Sequence, residues 1–221
     1  MGTKSDAESI KVWDILIRTF HWSLVLFFTI AYVTGDELDT VHAWSGYIII
    51  GLLAVRLVWG MIGTRYARFS NFIYSPQKIT NYLKSLFTGR PEHYLGHNPA
   101  GGAMVVVMLI FLILSSWSGL KAYEAEGKGP LASSGISLVS PAQADSWYDK
   151  EHKHGKGGKG DEFWEEAHEV FVNFTLLLVF IHIGGVLASS LLHRENLVRA
   201  MITGRKKKQD EDQARLNAAG R

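Results

Sequence analysis

Four of the nine histidines in this 221-residue chain lie inside long apolar stretches: His21, His42, His168 and His182. An imidazole in that setting hydrogen-bonds a neighbouring helix, relays a proton, or gives a ring nitrogen to a metal or to haem iron. For any one of the four, taken singly, these readings stay open. Their spacing narrows the choice. His168 and His182 are fourteen residues apart, which on an α-helix is a rotation of about 1400°, roughly 40° short of four turns, and a rise of about 21 Å. Both rings therefore leave one face of one helix, at two depths. Two depths, with single histidines in two other stretches, match the ligand count of two stacked bis-imidazole haems.

The stretches that must position these residues are 13–34, 41–62, 100–120 and 163–192. At about 1.5 Å per residue, each is long enough to cross a hydrocarbon core of roughly 30 Å. The expected fold is an all-α integral membrane bundle of four helices. The second stretch contains Arg56 and the fourth opens with a charged turn, whereas the centre of the third, 105–114, is purely apolar. The first stretch is too long for a signal-peptide core, carries Arg18 and His21, and lacks a small-residue cleavage site, so it is expected to stay in the mature protein. There is no cysteine. That excludes disulfides, cysteine-ligated iron–sulfur clusters and the C-x-x-C-H attachment of haem, so any haem is held non-covalently.

A formal charge of +2 hides an asymmetry. Lys4, Lys11 and Arg18 precede or open the first stretch, five basic residues lie between Arg65 and Arg90, and eight follow His193, while the turn after Gly35 has none. The positive-inside rule then places both termini and the 63–99 connection in the cytoplasm, and the 121–162 loop, whose six lysines are diluted by acids, in the periplasm. With this N-in, C-in orientation the depths sort themselves. His21 lies early in a helix that starts inside, and His42 opens a helix that starts outside. On the last helix, which runs inward, His168 is outer and His182 inner. The pairs are His21 with His182 and His42 with His168; the crossed pairs would have to meet across most of the membrane.

Small residues accompany these histidines. Gly46 is one turn from His42, and Gly184 and Gly185 follow His182. Glycine there gives clearance for a flat macrocycle, and equally suits plain close packing of helices. Arg56, fourteen residues after His42, shares its face near the cytoplasmic side, where a haem propionate would pair with it or the chain would snorkel to headgroups. His93, His97 and His193 fall in the cytoplasmic flanks and read as interfacial or structural. Residues 1–12 are polar and expected to fray. In the 63–99 connection, Ser75-Pro76 and Asn98-Pro99 mark boundaries around an amphipathic run at 78–87 suited to the membrane surface. The run from His152 to Gly160 reads as a mobile outer loop. Residues 1–208 form the domain, and 209–221 a disordered cytoplasmic tail. No phosphate-binding loop, dinucleotide fingerprint or Ser/His/Asp arrangement is present, and nothing points to nucleic acid.

With His21-Trp22 in the first helix, Val41-His42-Ala43-Trp44-Ser45-Gly46-Tyr47 opening the second, Arg56-Leu57-Val58-Trp59-Gly60 closing it, and the His168/His182 spacing, the chain resembles the bacterial dihaem cytochrome b family. That family includes the membrane cytochrome b subunits of nickel–iron hydrogenases and formate dehydrogenases, and small stand-alone cytochromes b. The likeness runs from about Trp13 to Lys208 and takes in Tyr66-Ala67-Arg68-Phe69-Ser70, Gly96-His97-Asn98-Pro99-Ala100-Gly101-Gly102 and His193-Arg194-Glu195-Asn196-Leu197-Val198. It implies four spans in the bacterial inner membrane, two b-type haems on His21, His42, His168 and His182, and electron exchange between the quinone pool and a periplasmic c-type cytochrome or oxidoreductase subunit. The long outer loop departs from the smallest members. Two rival expectations are a stand-alone superoxide:quinone oxidoreductase and a non-redox membrane protein whose histidines relay protons.

Overall fold

The computed structural model describes residues 9–35, 39–88, 92–129, 159–193 and 195–207. Four long helices dominate it: α1 at Ile15–Thr34, α2 at Asp39–Ile62, α4 at Pro99–Ala125 and α5 at Lys159–Leu192, with the shorter α3 at Pro76–Phe87 and α6 at Leu197–Thr203. All four long helices have the length and apolar composition to cross a membrane. Their outer faces carry large apolar side chains such as Val33, Ile62 and Leu191, each more than 70% exposed. So much apolar surface is stable in lipid and costly in water. Thr29 and Thr34 return their hydroxyls to the Val25 and Ile30 carbonyls, which hides both polar groups within the helix.

Helix ends follow local chemistry. Asp14 accepts from the Ile17 amide at 2.9 Å and Asn98 from the Gly101 amide at 2.7 Å, capping α1 and α4, and Pro76 and Pro99 occupy first-turn positions that need no amide donor. The amphipathic run expected at 78–87 is α3. The helices on either side of the 121–162 segment extend beyond their apolar stretches, α4 to Ala125 and α5 back to Lys159. A helix needs only backbone hydrogen bonds, so its polar ends continue past the lipid. The His152–Gly158 run and the 209–221 tail lie outside the described residues.

The bundle is two helical hairpins. α1 packs along α2 and α4 along α5, while the α5 backbone makes at most marginal approach to α1 or α2. The hairpins join through α2 and α4, where Phe20, Ile49, Leu53, Leu109 and Leu112 form the buried core. Residues 9–11 do not fray as expected. β1 at Ser9–Lys11 pairs antiparallel with β2 at Arg205–Lys207, Ser9 opposite Lys207, and the Gly204 carbonyl accepts from the Val12 and Trp13 amides. Beneath this strap Val12, Trp13, Ile17 and Ala67 are buried together. We call this end of the bundle the terminal end and the opposite one the far end.

Candidate functional site

The four intramembrane histidines meet in two pairs. His21 on α1 faces His182 on α5 with ring centroids 6.4 Å apart, and His42 on α2 faces His168 on α5 at 5.9 Å. The first pair lies toward the terminal end and the second toward the far end. A metal–imidazole bond of about 2.0 Å, plus roughly 1 Å from ring nitrogen to ring centre, taken twice, gives about 6 Å between the centroids of two axial ligands. Both pairs have that separation. The backbones that carry them stay largely apart, since α5 packs along α4 and approaches α1 or α2 at most marginally. A Cβ placed at Gly46, Gly184 or Gly185 would meet no atom within 4 Å, so none of the three serves close packing of one helix on another in this chain. Among the described residues no three histidine, aspartate or glutamate side chains gather to hold a bare ion. Two opposed imidazoles with an open equatorial plane fit haem iron, whose other four donors come from the porphyrin.

The far-end pair is held by hydrogen bonds that the sequence reading missed. His42 donates from Nδ1 to the Ala31 carbonyl at 2.9 Å, and His168 from Nδ1 to the Ser115 carbonyl at 2.9 Å. A carbonyl only accepts, so Nδ1 carries the proton and Nε2 is left with its lone pair. Ser118, fully buried, donates to the same Ser115 carbonyl at 3.0 Å and sets its oxygen 3.3 Å from His168 Nδ1. Ser115 and Thr175 join α4 to α5 through their hydroxyls at 3.3 Å. The signal in the sequence is the Ser115-Ser116-Trp117-Ser118-Gly119 cluster closing an otherwise apolar stretch. At the terminal-end pair, His21 Nδ1 is buried with no hydrogen-bond partner among the described residues.

Arg56 does not snorkel. It is 3% exposed, donates to the Ala67 carbonyl at 3.2 Å, and lies 4.8 Å from the Phe69 ring centroid and 5.8 Å from that of Phe72. Gly60 makes room for this turn, since any Cβ there would collide with the edge of the Phe69 ring. His97 is sandwiched between Trp13 and Phe72, each centroid at 4.6 Å, with Nδ1 buried and unpartnered. Burial, and then the positive charges of Arg56 and Lys206, lower its pKa to about 3, so its ring is neutral. Nearby, Glu195 accepts from His93 at 3.0 Å and pairs with Lys206 at 3.4 Å, and His193 packs edge-on against His93.

The model of one protein family, described as prokaryotic cytochrome b561, matches residues 12–204. Two relatives match over nearly their full length, each named "Probable Ni/Fe-hydrogenase B-type cytochrome subunit". The one from Rhizobium leguminosarum bv. viciae is 20% identical over 94% of this chain and 92% of its own, and the one from Rhodobacter capsulatus 22% identical over 95% and 88%. A third, "Probable Ni/Fe-hydrogenase 1 B-type cytochrome subunit" of Escherichia coli (strain K12), is 24% identical over 53% of this chain and 63% of its own. No solved structure gives a significant match.

Proposed function

Because the chain belongs to the prokaryotic cytochrome b561 family, and is thus a multi-pass cytochrome b of the bacterial inner membrane, we propose that it holds two haems and carries electrons between the quinone pool and a periplasmic oxidoreductase subunit. One observation supports the dihaem reading above the rest: two imidazole pairs at ligand-to-ligand separation bridge helices whose backbones make at most marginal approach to each other. Each b-type haem supplies a one-electron ferric/ferrous couple, and bis-imidazole ligation, leaving no open position on iron, suits electron transfer over oxygen chemistry.

The chain's own residues divide the remaining tasks. His21 and His182 would hold the terminal-end haem and His42 and His168 the far-end one, with Gly46 and Gly185, each about one turn from a ligand, leaving room for the macrocycle. Arg56, buried with a single carbonyl acceptor among the described residues, has guanidinium donors left for a propionate. Quinone chemistry belongs at the terminal end, where the 63–98 connection brings polar groups to the membrane surface. The names of the two nearly full-length relatives support a hydrogenase-type partner over a free c-type cytochrome.

A pyridine haemochrome assay of the purified chain tests this. Two haems b per chain are expected, falling to about one in His182→Ala and in His42→Ala. A colourless preparation leaves the proton-relay reading, and two haems retained in either variant refute the ligand assignment.

A further inference from the structure

We infer that α4, the one spanning helix without a histidine, holds the far-end centre at a lower reduction potential than the terminal-end centre. This rests on the two-centre reading above and goes beyond it. An imidazole whose Nδ1–H is donated to a carbonyl gains imidazolate character, and its Nε2 becomes a stronger donor that stabilises oxidised iron. Both far-end ligands are bonded in this way, His42 to Ala31 and His168 to Ser115, each at 2.9 Å. At the terminal end His21 Nδ1 has no partner among the described residues.

α4 makes the far-end arrangement specific. Gly119 lies against the His168 ring, where a Cβ would come 2.9 Å from Cε1 and 3.1 Å from Nδ1. Ser118 closes on the shared carbonyl from the other side. The ring has one seat, and in it the His42 and His168 planes stand at 88°, against 52° for His21 and His182. Perpendicular imidazole planes leave the iron π-type d orbitals nearly degenerate, so a low-spin ferric centre shows one very large g value. Planes nearer to parallel give a more ordinary rhombic spectrum. Gly119 and Ser118 are thus positioning residues that act through His168, and the large-g signal labels the centre they control.

The test is a potentiometric titration of the purified, haem-loaded protein followed by electron paramagnetic resonance. In the unaltered chain the component with the larger g value should be the last to be reduced. Gly119→Ala should raise the midpoint of that component and shrink its large-g signal, with the second component unmoved, and Ser118→Ala should shift it less in the same direction. If Gly119→Ala does not assemble, the order of the two components in the unaltered chain and the Ser118→Ala shift still decide. Two haems with the large-g component reduced first, or a substitution that moves both components alike or neither, would overturn the inference. Protein without two haems would instead overturn the reading beneath it.

Discussion

At the scale of single residues, Asp14 makes more contacts than a helix cap needs. Besides the Ile17 amide it accepts from Trp59 Nε1 at 3.1 Å and from the Thr64 hydroxyl, so it joins the start of α1 to the end of α2. Asp14→Ala removes a cap worth about 1 kcal/mol and leaves two further donors short of a partner, for a combined loss of about 2–4 kcal/mol readable as a lower melting temperature in detergent. Burial pushes the carboxyl pKa up, but the hydrogen bonds from Thr64, Ile17 and Trp59 outweigh it and leave the pKa below the usual carboxylate range. A depressed carboxylate stabilises the fold above its unfolded pKa and loses that contribution as pH falls through the folded one. The melting temperature should therefore drop in acid below about pH 4, and Asp14→Asn should flatten that part of the profile. Residues of this kind differ in legibility. Histidine is rare in lipid-facing sequence, so His21, His42, His168 and His182 stood out, whereas the acceptors that orient His42 and His168 are backbone carbonyls, which leave no mark in a sequence.

At the scale of elements, apolar length made the four spanning helices readable, because lipid demands unbroken backbone hydrogen bonding. The β1–β2 strap was not readable. It joins Ser9–Lys11 to Arg205–Lys207, nearly the whole chain apart, and three residues a side are too few to carry a periodicity. The seating of the 63–98 connection on α4 was hidden for a related reason, since it depends on the space at one glycine. A Cβ at Gly102 would come 2.2 Å from the Phe72 carbonyl oxygen, a backbone atom that cannot rotate away. Gly102→Ala should cost about 1–3 kcal/mol through overpacking. It should also disturb His97, which packs at a tilt against the Phe72 ring. Gly51→Ala, which meets nothing within 4 Å, is the comparison that isolates the clash. Thermal unfolding of the two variants side by side should show a loss for Gly102→Ala and none for Gly51→Ala.

For the whole molecule the deciding property is which end faces the cytoplasm, because under the proposed function this fixes which imidazole pair would face a quinone and which a periplasmic partner. The fold gathers the paired strands Ser9–Lys11 and Arg205–Lys207, the 63–98 connection and most of the described basic residues at one end, and keeps His42 and His168 toward the other. Moving a cluster of cations across the membrane against its potential is costly, so the basic end is expected to stay inside. The absence of cysteine makes a clean experiment possible, since each introduced thiol is the only one present. Asn81→Cys lies on the exposed face of α3 at the terminal end, and Thr40→Cys in the exposed first turn of α2 at the far end. In intact spheroplasts a membrane-impermeant maleimide should label Thr40→Cys and spare Asn81→Cys until the membrane is permeabilised. The opposite pattern would turn the bundle over and set the His42/His168 pair at the cytoplasmic face. The pairing itself would survive that result, since it rests on which rings share a depth, while the assignment of quinone and partner to the two ends would have to be exchanged.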